Sequence, residues 1–335
     1  MASIRDVAQI AGVSISTVSR VISGSANVES ATRSRVEEAI RETGYRPNLN
    51  ARSLRSRSGQ LVGLALPKII HETFSTIIHY AEQEAHKMGY GLIIGNTEDD
   101  PERERHFIDD LLSRNVDAIV FSRVSDASQL PERAKERGLP IVVIDRGIEH
   151  ETIASIETDN REAGRMVAKL FGQGGHRNVG TVTGPHNVRL VRERDEGFRT
   201  GLEAAGIPLL PSHHVEENFE YEGGLRAAER FLALDPLPTA IWAQSDMAAV
   251  GLLRRFREAG VRVPEDVSIV GMDNVPVAKM VYPSLTTVDQ PFQEFCRRAF
   301  MIIHHQLEDP SYQPPEHFVQ IRPSIIIRES YRNLT

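Results

Sequence analysis

The sequence has a single cysteine, Cys296, so no disulfide bond can form within the chain. That scarcity suits a reducing compartment, and we expect the protein in the cytoplasm. No stretch approaches the roughly 18 consecutive apolar residues of a membrane span. The opening segment, MASIRDVAQIAGVS, has no continuous apolar core of the kind that a signal peptide needs. The sequence therefore argues against secretion by that route and against insertion into a membrane.

The motifs of common enzymes are missing as well. The glycine-rich segment 172–177, GQGGHR, follows a predicted helix and has Arg177 where a dinucleotide-binding fingerprint requires its last glycine. The segment 71–75, HETFS, lacks the second histidine of a zinc protease. The sequence contains neither a nucleophile elbow nor a phosphate-binding loop. We therefore predict that the protein is not an enzyme and needs no cofactor.

The histidines form no metal-binding motif along the chain. They occur in adjacent pairs at His213-His214 and His304-His305, and no acid or cysteine stands at a metal-ligand spacing from either pair. The sequence therefore predicts no metal site.

Basic residues are concentrated near the N-terminus. Residues 1–60 hold nine arginines, no lysine and five acids, a net charge of +4, whereas the remainder holds 30 basic and 41 acidic residues, a net charge of −11. A basic head on an acidic body suggests that the head meets a polyanion such as nucleic acid. A chance asymmetry would give the same numbers, so charge alone leaves both interpretations open.

Residues 1–45 predict three short helices. The first presents an apolar face at helical spacing, made of Ile4, Val7, Ala8 and Ala11. Gly12 ends this helix, and the Ser14 hydroxyl can cap the next one by accepting from backbone N–H groups in its first turn. Ser30 begins the third helix, which Gly44 ends and Pro47 prevents from continuing.

The first two helices have the spacing of a helix-turn-helix, whose second helix enters the major groove of DNA. The outward residues of that second helix are Ile15, Ser16, Thr17, Ser19 and Arg20. Arg20 can donate two hydrogen bonds to a guanine, and Ile15 can contact a thymine methyl group. Ser14, Thr17 and Ser19 are small donors suited to phosphates. A plain three-helix bundle with polar surfaces fits the spacing equally well.

From Gln60 onward, short apolar runs alternate with helical patterns, which predicts an α/β fold with buried parallel strands. The first series of runs is LVGLALP, YGLIIGN, DAIVFS and PIVVID, and the second is RNVGTVTG, HHVEE, PTAIWAQ and VSIVGMD. Helices are expected between them at 75–88, 102–114, 128–137, 160–173, 190–205, 221–234 and 247–259. Two series predict two lobes, each built on a doubly wound parallel sheet. The last strands, near 285–289 and 318–328, could return to complete these sheets. Trp242 lies inside an apolar strand and is expected in the core.

These patterns define three predicted regions. They are a helix-turn-helix domain at 1–47, a linker at 48–59 and a two-lobed body at 60–335. The resemblance described next implies that the linker is a hinge helix and that the body is a ligand-binding and dimerisation domain. The N-lobe of the last region is expected at about 60–159 and 289–318, and the C-lobe at 160–288 and 319–335.

The head resembles the DNA-binding domain of the lactose/galactose-repressor (LacI) family. The resemblance covers residues 2–58 and is carried by IRDVAQIAGVSISTVSRVISG and TRSRVEEAIRETGYRPNLNARSL. It implies that Ile15, Ser16 and Arg20 read bases, and Asn27 joins the candidates for DNA contact. The DNA partner would be double-stranded operator DNA.

The same resemblance bears on the arginine-rich connector. It implies that residues 48–57 become a hinge helix only on operator DNA, with Leu54 as a wedge in the minor groove. Arg52, Arg55 and Arg57 would add attraction to phosphates. An isolated helix this short is marginal in water, so a solvated flexible linker remains the alternative for the DNA-free protein.

The resemblance continues through the body, in stretches such as GYGLIIGNTEDD, GHRNVGTVTGP, RDEGFRTGL and VRVPEDVSIVGMDN. It implies a two-lobed body like the periplasmic sugar receptors, with a ligand pocket beyond the carboxyl ends of the strands. Arg194 and Asp273 follow strands at the family's positions and could together hold a vicinal diol. Phe74 and Phe219 could pack on the C–H face of a sugar ring.

Further pocket candidates stand at the starts of loops: Ser122, Asp145, Arg146, Asp159 and Gln290. A structural ion pair or a satisfied loop cap is the alternative interpretation of each, and also of Arg194 and Asp273.

Two positions depart from the pattern frequent in the family. Ser245-Asp246 stands where asparagine-aspartate is common, and Gln244 can compensate for the shorter serine. His71 and Glu72 stand where asparagine-proline is frequent, which would suit a charged or a larger, disaccharide-like ligand.

Together these features predict a transcription repressor, controlled by a sugar or glycoside bound between the lobes. We expect a homodimer that reads an inverted repeat, because one head covers only a few base pairs and no leucine heptad is present to build a tetramer. The body dimer would pair helices such as 75–88 with the region near 277–283. A transport receptor and a dehydrogenase-like enzyme are the rivals; the first would need an export signal and the second a phosphate-binding turn.

Overall fold

The computed structural model describes residues 2–22, 28–45, 59–123 and 136–335, and it divides into two compact units, Met1–Gln60 and Leu61–Thr335. Several predictions lie outside the described residues: those for Asn27, Arg52, Leu54, Arg55 and Arg57, for the hinge helix, and for most of the helix at 128–137.

The first unit contains helices α1 (Ile4–Ala11), α2 (Ile15–Ile22) and α3 (Ser30–Thr43). Gly12 adopts a left-handed conformation, φ 64°, which ends α1 where a side chain would be strained. The Ser14 hydroxyl accepts from the Thr17 backbone N–H at 3.1 Å, as predicted for a cap. The three helices enclose a small apolar core that contains Val7, Val18 and Val36, all fully buried.

The first lobe of the second unit is a six-stranded sheet with the strand order β11-β5-β4-β3-β1-β2. Its strands are β1 (Leu61–Leu66), β2 (Gly91–Asn96), β3 (Ala118–Phe121), β4 (Ile141–Ile144), β5 (Ala154–Thr158) and β11 (Phe318–Ile321). Helices α4 (Glu72–Lys87), α5 (Pro101–Ser113) and α11 (Phe292–Glu308) belong to this lobe. All pairs in this sheet are parallel, and Leu64, Ile77 and Phe295 lie in its core.

The second lobe has the strand order β12-β10-β9-β8-β6-β7. Its strands are β6 (Val179–Thr183), β7 (His214–Glu216), β8 (Ala240–Ala243), β9 (Ser268–Asp273), β10 (Thr286–Asp289) and β12 (Ser324–Ile326). Its helices are α6 (Asn160–Gln173), α7 (Arg189–Ala204), α8 (Tyr221–Leu232), α9 (Asp246–Glu258) and α10 (Val277–Met280). Trp242 is fully buried beside Phe198, which confirms its predicted place in the core.

The structure corrects three expectations about the sheets. Strand β12 pairs antiparallel with β10, so the second sheet is not wholly parallel. Strand β11 runs to Ile321 in the first sheet, so the chain crosses to the second lobe later than the predicted 318. Strand β5 is absent from the sequence prediction because its sequence, ASIET, is not an apolar run.

The polar side chains of β5 are buried but paired. Ser155 accepts from the Ile148 backbone N–H at 2.9 Å. Glu157 accepts from Arg189 at 2.5 Å and from Gln320 at 3.0 Å, although burial raises the pKa of this carboxyl to about 7. A strand can therefore be fully buried without reading as hydrophobic, provided that its polar groups find partners.

No helix within the described ranges has the length and apolar character needed to cross a membrane.

Candidate functional site: a cleft between two lobes and a helix-turn-helix surface

A cavity of about 520 Å³ lies between the two lobes of the second unit. Its walls come from residues that follow the carboxyl ends of strands in both sheets, which is where open α/β sheets bind ligands. The lining residues are Lys68, His71, Thr73, Phe74, Asp99, Pro101, Asp145, Arg146, Pro185, Asn187, Val188, Leu190, Arg194, Asn218, Phe219, Glu220, Gln244, Ser245, Asp273 and Gln290. The volume lies within the range of about 300–1,000 Å³ that small-molecule sites occupy.

Arg194 is the buried cation of the cavity, with 3% of its surface exposed. It stands on α7, and its Nε donates to Asn160 Oδ1 at 2.8 Å while its Nη1 donates to the Gln244 carbonyl at 3.1 Å. These bonds fix the plane of the guanidinium. Since a guanidinium has five N–H groups, donors remain for a ligand in the cavity that Arg194 lines.

Asp273 lies where β9 ends, and its backbone is strained, with φ at 118°. Its carboxylate accepts from Thr73 Oγ1 at 3.0 Å and from Gln290 Nε2 at 2.6 Å. Burial raises its pKa, while the nearby positive charge of Arg194 opposes that rise. Thr73 belongs to the first lobe, so Asp273 joins the two lobes across the cleft.

Asp145 is the matching carboxylate of the first lobe. It follows β4, is buried, and also has a positive φ, 62°. Burial raises its pKa, which the charges of Arg146 and Arg194 oppose. Ser122 lies 3.5 Å from this carboxylate but does not line the cavity, so it supports Asp145 from behind.

Arg146 and Phe74 form part of one cavity wall. The Arg146 guanidinium lies 5.6 Å from the centre of the Phe74 ring and donates to Asp99 at 3.0 Å. This cation–π contact holds the orientation of the Phe74 ring, which presents an apolar face.

The second aromatic, Phe219, is held in place through its backbone carbonyl. Its carbonyl accepts from Ser245 Oγ at 2.6 Å, and the same hydroxyl caps α9 by accepting from the Ala248 N–H at 3.1 Å. His71 Nε2 lies 3.5 Å from the same carbonyl. Because the only proton of the Ser245 hydroxyl is donated to Phe219, Ser245 positions that residue and has no proton left to donate to a ligand.

Gln244 is the least satisfied polar group of the cavity. It is 1% exposed, and neither atom of its amide has a hydrogen-bond partner among the described residues; the same holds for Nδ1 of His71. Buried polar groups are nearly always paired, so these atoms mark where a ligand or an ordered water belongs.

The structure gathers most of the predicted pocket residues in one place, but not all of them. Asp159 lies outside the cavity, where its carboxylate caps α6 by accepting from the Glu162 N–H at 2.8 Å. The loop-cap alternative therefore describes Asp159 correctly.

Sequence reasoning missed a pair that spans the cleft. Lys68, after β1, donates to Glu220, after β7, at 2.7 Å, and both line the cavity. Their positions just after strands were the signal that could have found them. Glu72 adds a further contact between the lobes by accepting from the Val277 N–H at 3.4 Å.

On the head, the predicted reading residues lie on α2, with Ile15 and Ser16 in its first turn and Arg20 in its last. Ile15 is 37% exposed, and Ser16 and Arg20 are exposed as well. Ser14 Oγ lies 2.7 Å from Ser16 Oγ and 2.8 Å from Thr17 Oγ1, so these hydroxyls form one cluster at the helix start. Ser19 is half-buried on the same helix.

Two family models match the chain. The model described as bacterial regulatory proteins, lacI family, matches residues 3–48, and the model of a periplasmic binding protein-like domain matches residues 167–331. Among curated proteins, the HTH-type transcriptional repressor PurR of Photobacterium profundum is 32% identical over 335 residues, which is 100% of both chains. The PurR repressor of Pasteurella multocida is also 32% identical, over 99% of each chain.

Solved structures agree with this result. The transcriptional regulator CelR in complex with cellobiose is 28% identical, with a TM-score of 0.74 over 99% of this chain and 100% of that one. The lac repressor dimer bound to operator and the anti-inducer ONPF has a TM-score of 0.87 over 98% of each chain; at 24% identity it bears on the fold alone.

Proposed function

We infer the finer points of function from one premise, that the chain belongs to the lacI family of bacterial regulatory proteins. It is accordingly a DNA-binding transcriptional repressor with a small-molecule effector, and its relatives are repressors and not enzymes. We propose that the effector is a sugar or glycoside held in the cleft, and that the repressor acts in the cytoplasm as a homodimer on an inverted repeat.

The observation that carries the effector assignment is the chemistry of the cavity. Arg194 offers donors, Asp145 and Asp273 offer acceptors, and Gln244 offers one group of each kind. Alternating donors and acceptors above an apolar ring suit a molecule that has hydroxyl groups on its edge and C–H groups on its face. Cellobiose, the ligand in the CelR complex, belongs to that class.

The proposed mechanism uses the contacts that span the cleft. Lys68 with Glu220 and Thr73 with Asp273 link the lobes, so a ligand among them favours one lobe angle over another. A ligand shifts an equilibrium only by its difference in affinity for the two states. A coupling of about 1–3 kcal/mol would change DNA affinity by about 5–150-fold.

For the head, we propose that Arg20, Ile15 and Ser16 contact base edges while Ser14, Thr17 and Ser19 serve the phosphates and the helix start. The exposure of Ile15 and Arg20 supports this assignment. The predicted roles of Asn27, Arg52, Leu54 and Arg55 in DNA contact stay predictions.

A groove on the body supports the proposed dimer. It is lined by α4 residues, among them His79 and Tyr80, and by Lys279 and Met280 of the 277–283 region, so the two predicted dimer segments face one surface. Met280 is 78% exposed and Tyr282 79%, and such apolar side chains mark contact sites on soluble proteins.

A thermal-shift screen tests the effector assignment. The full-length protein would be screened against monosaccharides, disaccharides and their glycosides, with cellobiose as the first probe. We expect a stabilising hit whose effect disappears in Arg194→Ala. The matched control is Arg254→Ala, an exposed arginine of the same lobe paired with Glu258, which should keep the full effect.

The screen also includes flat nitrogen heterocycles, because two phenylalanines and an unpaired amide can bind those as well. Stabilisation by heterocycles and by no sugar would contradict the sugar assignment and leave the cleft assignment standing. A hit that survives Arg194→Ala undiminished would contradict the cleft assignment itself.

A further inference from the structure

Three residues that are distant in the sequence meet on the second lobe, outside the cleft cavity. His186 follows β6, Asp195 lies on α7, and His214 begins β7. One imidazole nitrogen of each histidine and one carboxylate oxygen of Asp195 all lie within 4.8 Å of one another. Asp195 is buried and the two histidines are half-buried, so the group is accessible from one side.

We propose that His186, Asp195 and His214 form a binding site for a divalent transition-metal ion, of which Zn²⁺ is the best match. Two imidazoles and one carboxylate are the ligand set of many three-ligand zinc sites, in which water takes the fourth position. This assignment goes against the prediction from sequence that the protein has no metal site.

The distances are close to those that a metal needs. Zinc-ligand bonds of about 2.0–2.1 Å in a tetrahedron place neighbouring ligand atoms about 3.3 Å apart. His214 Nε2 lies 2.8 Å from Asp195 Oδ1, and His186 Nε2 lies 3.7 Å from Asp195 Oδ2. These two contacts end on different oxygens of Asp195, and the three ligand atoms lie within 4.8 Å of one another, so side-chain rotations that move them by up to about 1.5 Å would seat the ion.

The neighbours of His186 present the correct nitrogen. Its Nδ1 lies 2.9 Å from Glu216 Oε2, so an N–H at Nδ1 can donate to this carboxylate, and Nε2 is the nitrogen that faces Asp195. Metal-binding histidines nearly always donate their second nitrogen to a carboxylate, a carbonyl or water, which fixes the tautomer. The contact with Glu216 therefore has the form expected around a metal ligand.

The carboxylate of Asp195 already accepts two hydrogen bonds from basic side chains, from His214 Nε2 at 2.8 Å and from Arg199 Nε at 2.8 Å. In the metal-free form His214 Nε2–H donates to Asp195. The ion takes the place of that proton when the imidazole changes to the tautomer protonated at Nδ1.

The alternative is that His186, Asp195 and His214 form only a surface network of hydrogen bonds. Arg199 donates to Asp195 Oδ2 at 2.8 Å, and this positive charge opposes cation binding. Two observations favour a metal nonetheless: the imidazole rings converge, with centroids 5.6 Å apart, and both direct Nε2 at the same carboxylate. A network built only for stability does not require two histidines on one acceptor.

Sequence spacing cannot reveal this group. The neighbour of His214 in the chain is another histidine, and the acid that it meets in the fold is distant along the sequence. The fold brings α7 and the loop after β6 beside β7, so the two histidines lie 9 and 19 positions from Asp195.

The test is zinc binding by the full-length protein after removal of any purification tag and of metal by a chelator. Isothermal titration with ZnCl₂ should show one ion per chain with saturable binding. His186→Gln and His214→Gln should weaken binding about 100-fold or more, and Glu216→Gln, which removes only the second carboxylate, about 10–100-fold. The matched control is His304→Gln, which removes an exposed histidine 3.4 Å from Glu308.

Two further measurements distinguish the loss of a metal ligand from a failure of the variant to fold. Co²⁺ in place of Zn²⁺ should give the visible absorption of a tetrahedral site, absent in His186→Gln. Zinc should also raise the melting temperature of the native protein and of His304→Gln, since a ligand that binds only the folded state stabilises it. Equal zinc affinity in all five proteins, or no saturable binding in the native one, would overturn the proposal.

Discussion

Replacing Arg194 with methionine should make the stability of the body depend on pH. The side chain is buried in the wall of the cavity that Asp145 and Asp273 also line, and burial raises the pKa of both carboxyl groups while the charge of Arg194 opposes that rise. Without the guanidinium, those pKa values rise further. Methionine fills much of the same volume, so the loss reports charge more than packing.

The direction of this pH dependence follows from the number of protons bound in the folded and unfolded states. A carboxyl whose pKa is higher in the folded than in the unfolded state binds more protons when folded, so the free energy of unfolding falls as pH rises through that interval. If folded Arg194→Met takes up one more proton than the native protein, its destabilisation changes by about 1.36 kcal/mol per pH unit. If that extra proton stays bound from pH 5.5 to pH 7.5, the loss grows by about 2.7 kcal/mol over those two pH units.

The total loss at pH 7.5 should approach the roughly 3–5 kcal/mol that removing one charge from a buried group of opposite charges costs, and it includes the hydrogen bonds of Arg194 to Asn160 and Gln244. Urea unfolding at both pH values measures it, and Arg254→Met, at an exposed ion pair, should lose no more than about 1 kcal/mol at either. Equal losses for Arg194→Met at the two pH values would refute the claim that the charge of Arg194 lowers the pKa of the two buried carboxyl groups.

Three more substitutions test the head, the cleft and the packing of the second lobe separately. Arg20→Ala should weaken binding to a selected operator duplex by about 1–3 kcal/mol, measured by fluorescence anisotropy, and leave effector-induced stabilisation unchanged; a loss of both would contradict a role confined to the head. Gln244→Leu should abolish effector binding in calorimetry. The free energy of unfolding should stay level or increase, since the substitution removes an amide without partners among the described residues; retained effector binding would show that Gln244 is not part of the site. Gly197→Ala should lose about 1–3 kcal/mol or more in chemical denaturation, because a Cβ there overlaps the backbone of Arg161. Gly172→Ala should lose less, because its Cβ would meet only side-chain atoms, the nearest being Ala205 Cβ at 3.1 Å.

The sequence predicted the elements whose pattern is set by burial of apolar groups. The strand of Trp242 and the helices of the head follow from periodicity alone, and the cap at Ser14 follows from local hydrogen bonding. Strand β5 escaped because Ser155 and Glu157 are buried through partners distant in the sequence, which no local pattern records.

The pocket was predictable as far as it depends on position in the fold. Residues just after parallel strands line the cavity, so Arg146, Phe219 and Asp273 were found where that rule places them. Their individual tasks were not predictable. Ser245 proved to hold Phe219 and the start of α9, and Asp159 the start of α6, because a hydroxyl or a carboxylate satisfies whichever donor the fold brings to it.

The central claim is that the cleft and the DNA-binding surface influence each other, and reciprocity tests it most directly. An operator would be selected from random duplex DNA, and the affinity for it measured with and without the sugar that stabilises the native protein. The affinity for that sugar would then be measured with and without the operator. The account predicts that the two ratios are equal and differ from one by about 5–150-fold. A sugar that binds the cleft and leaves both ratios at one would contradict it.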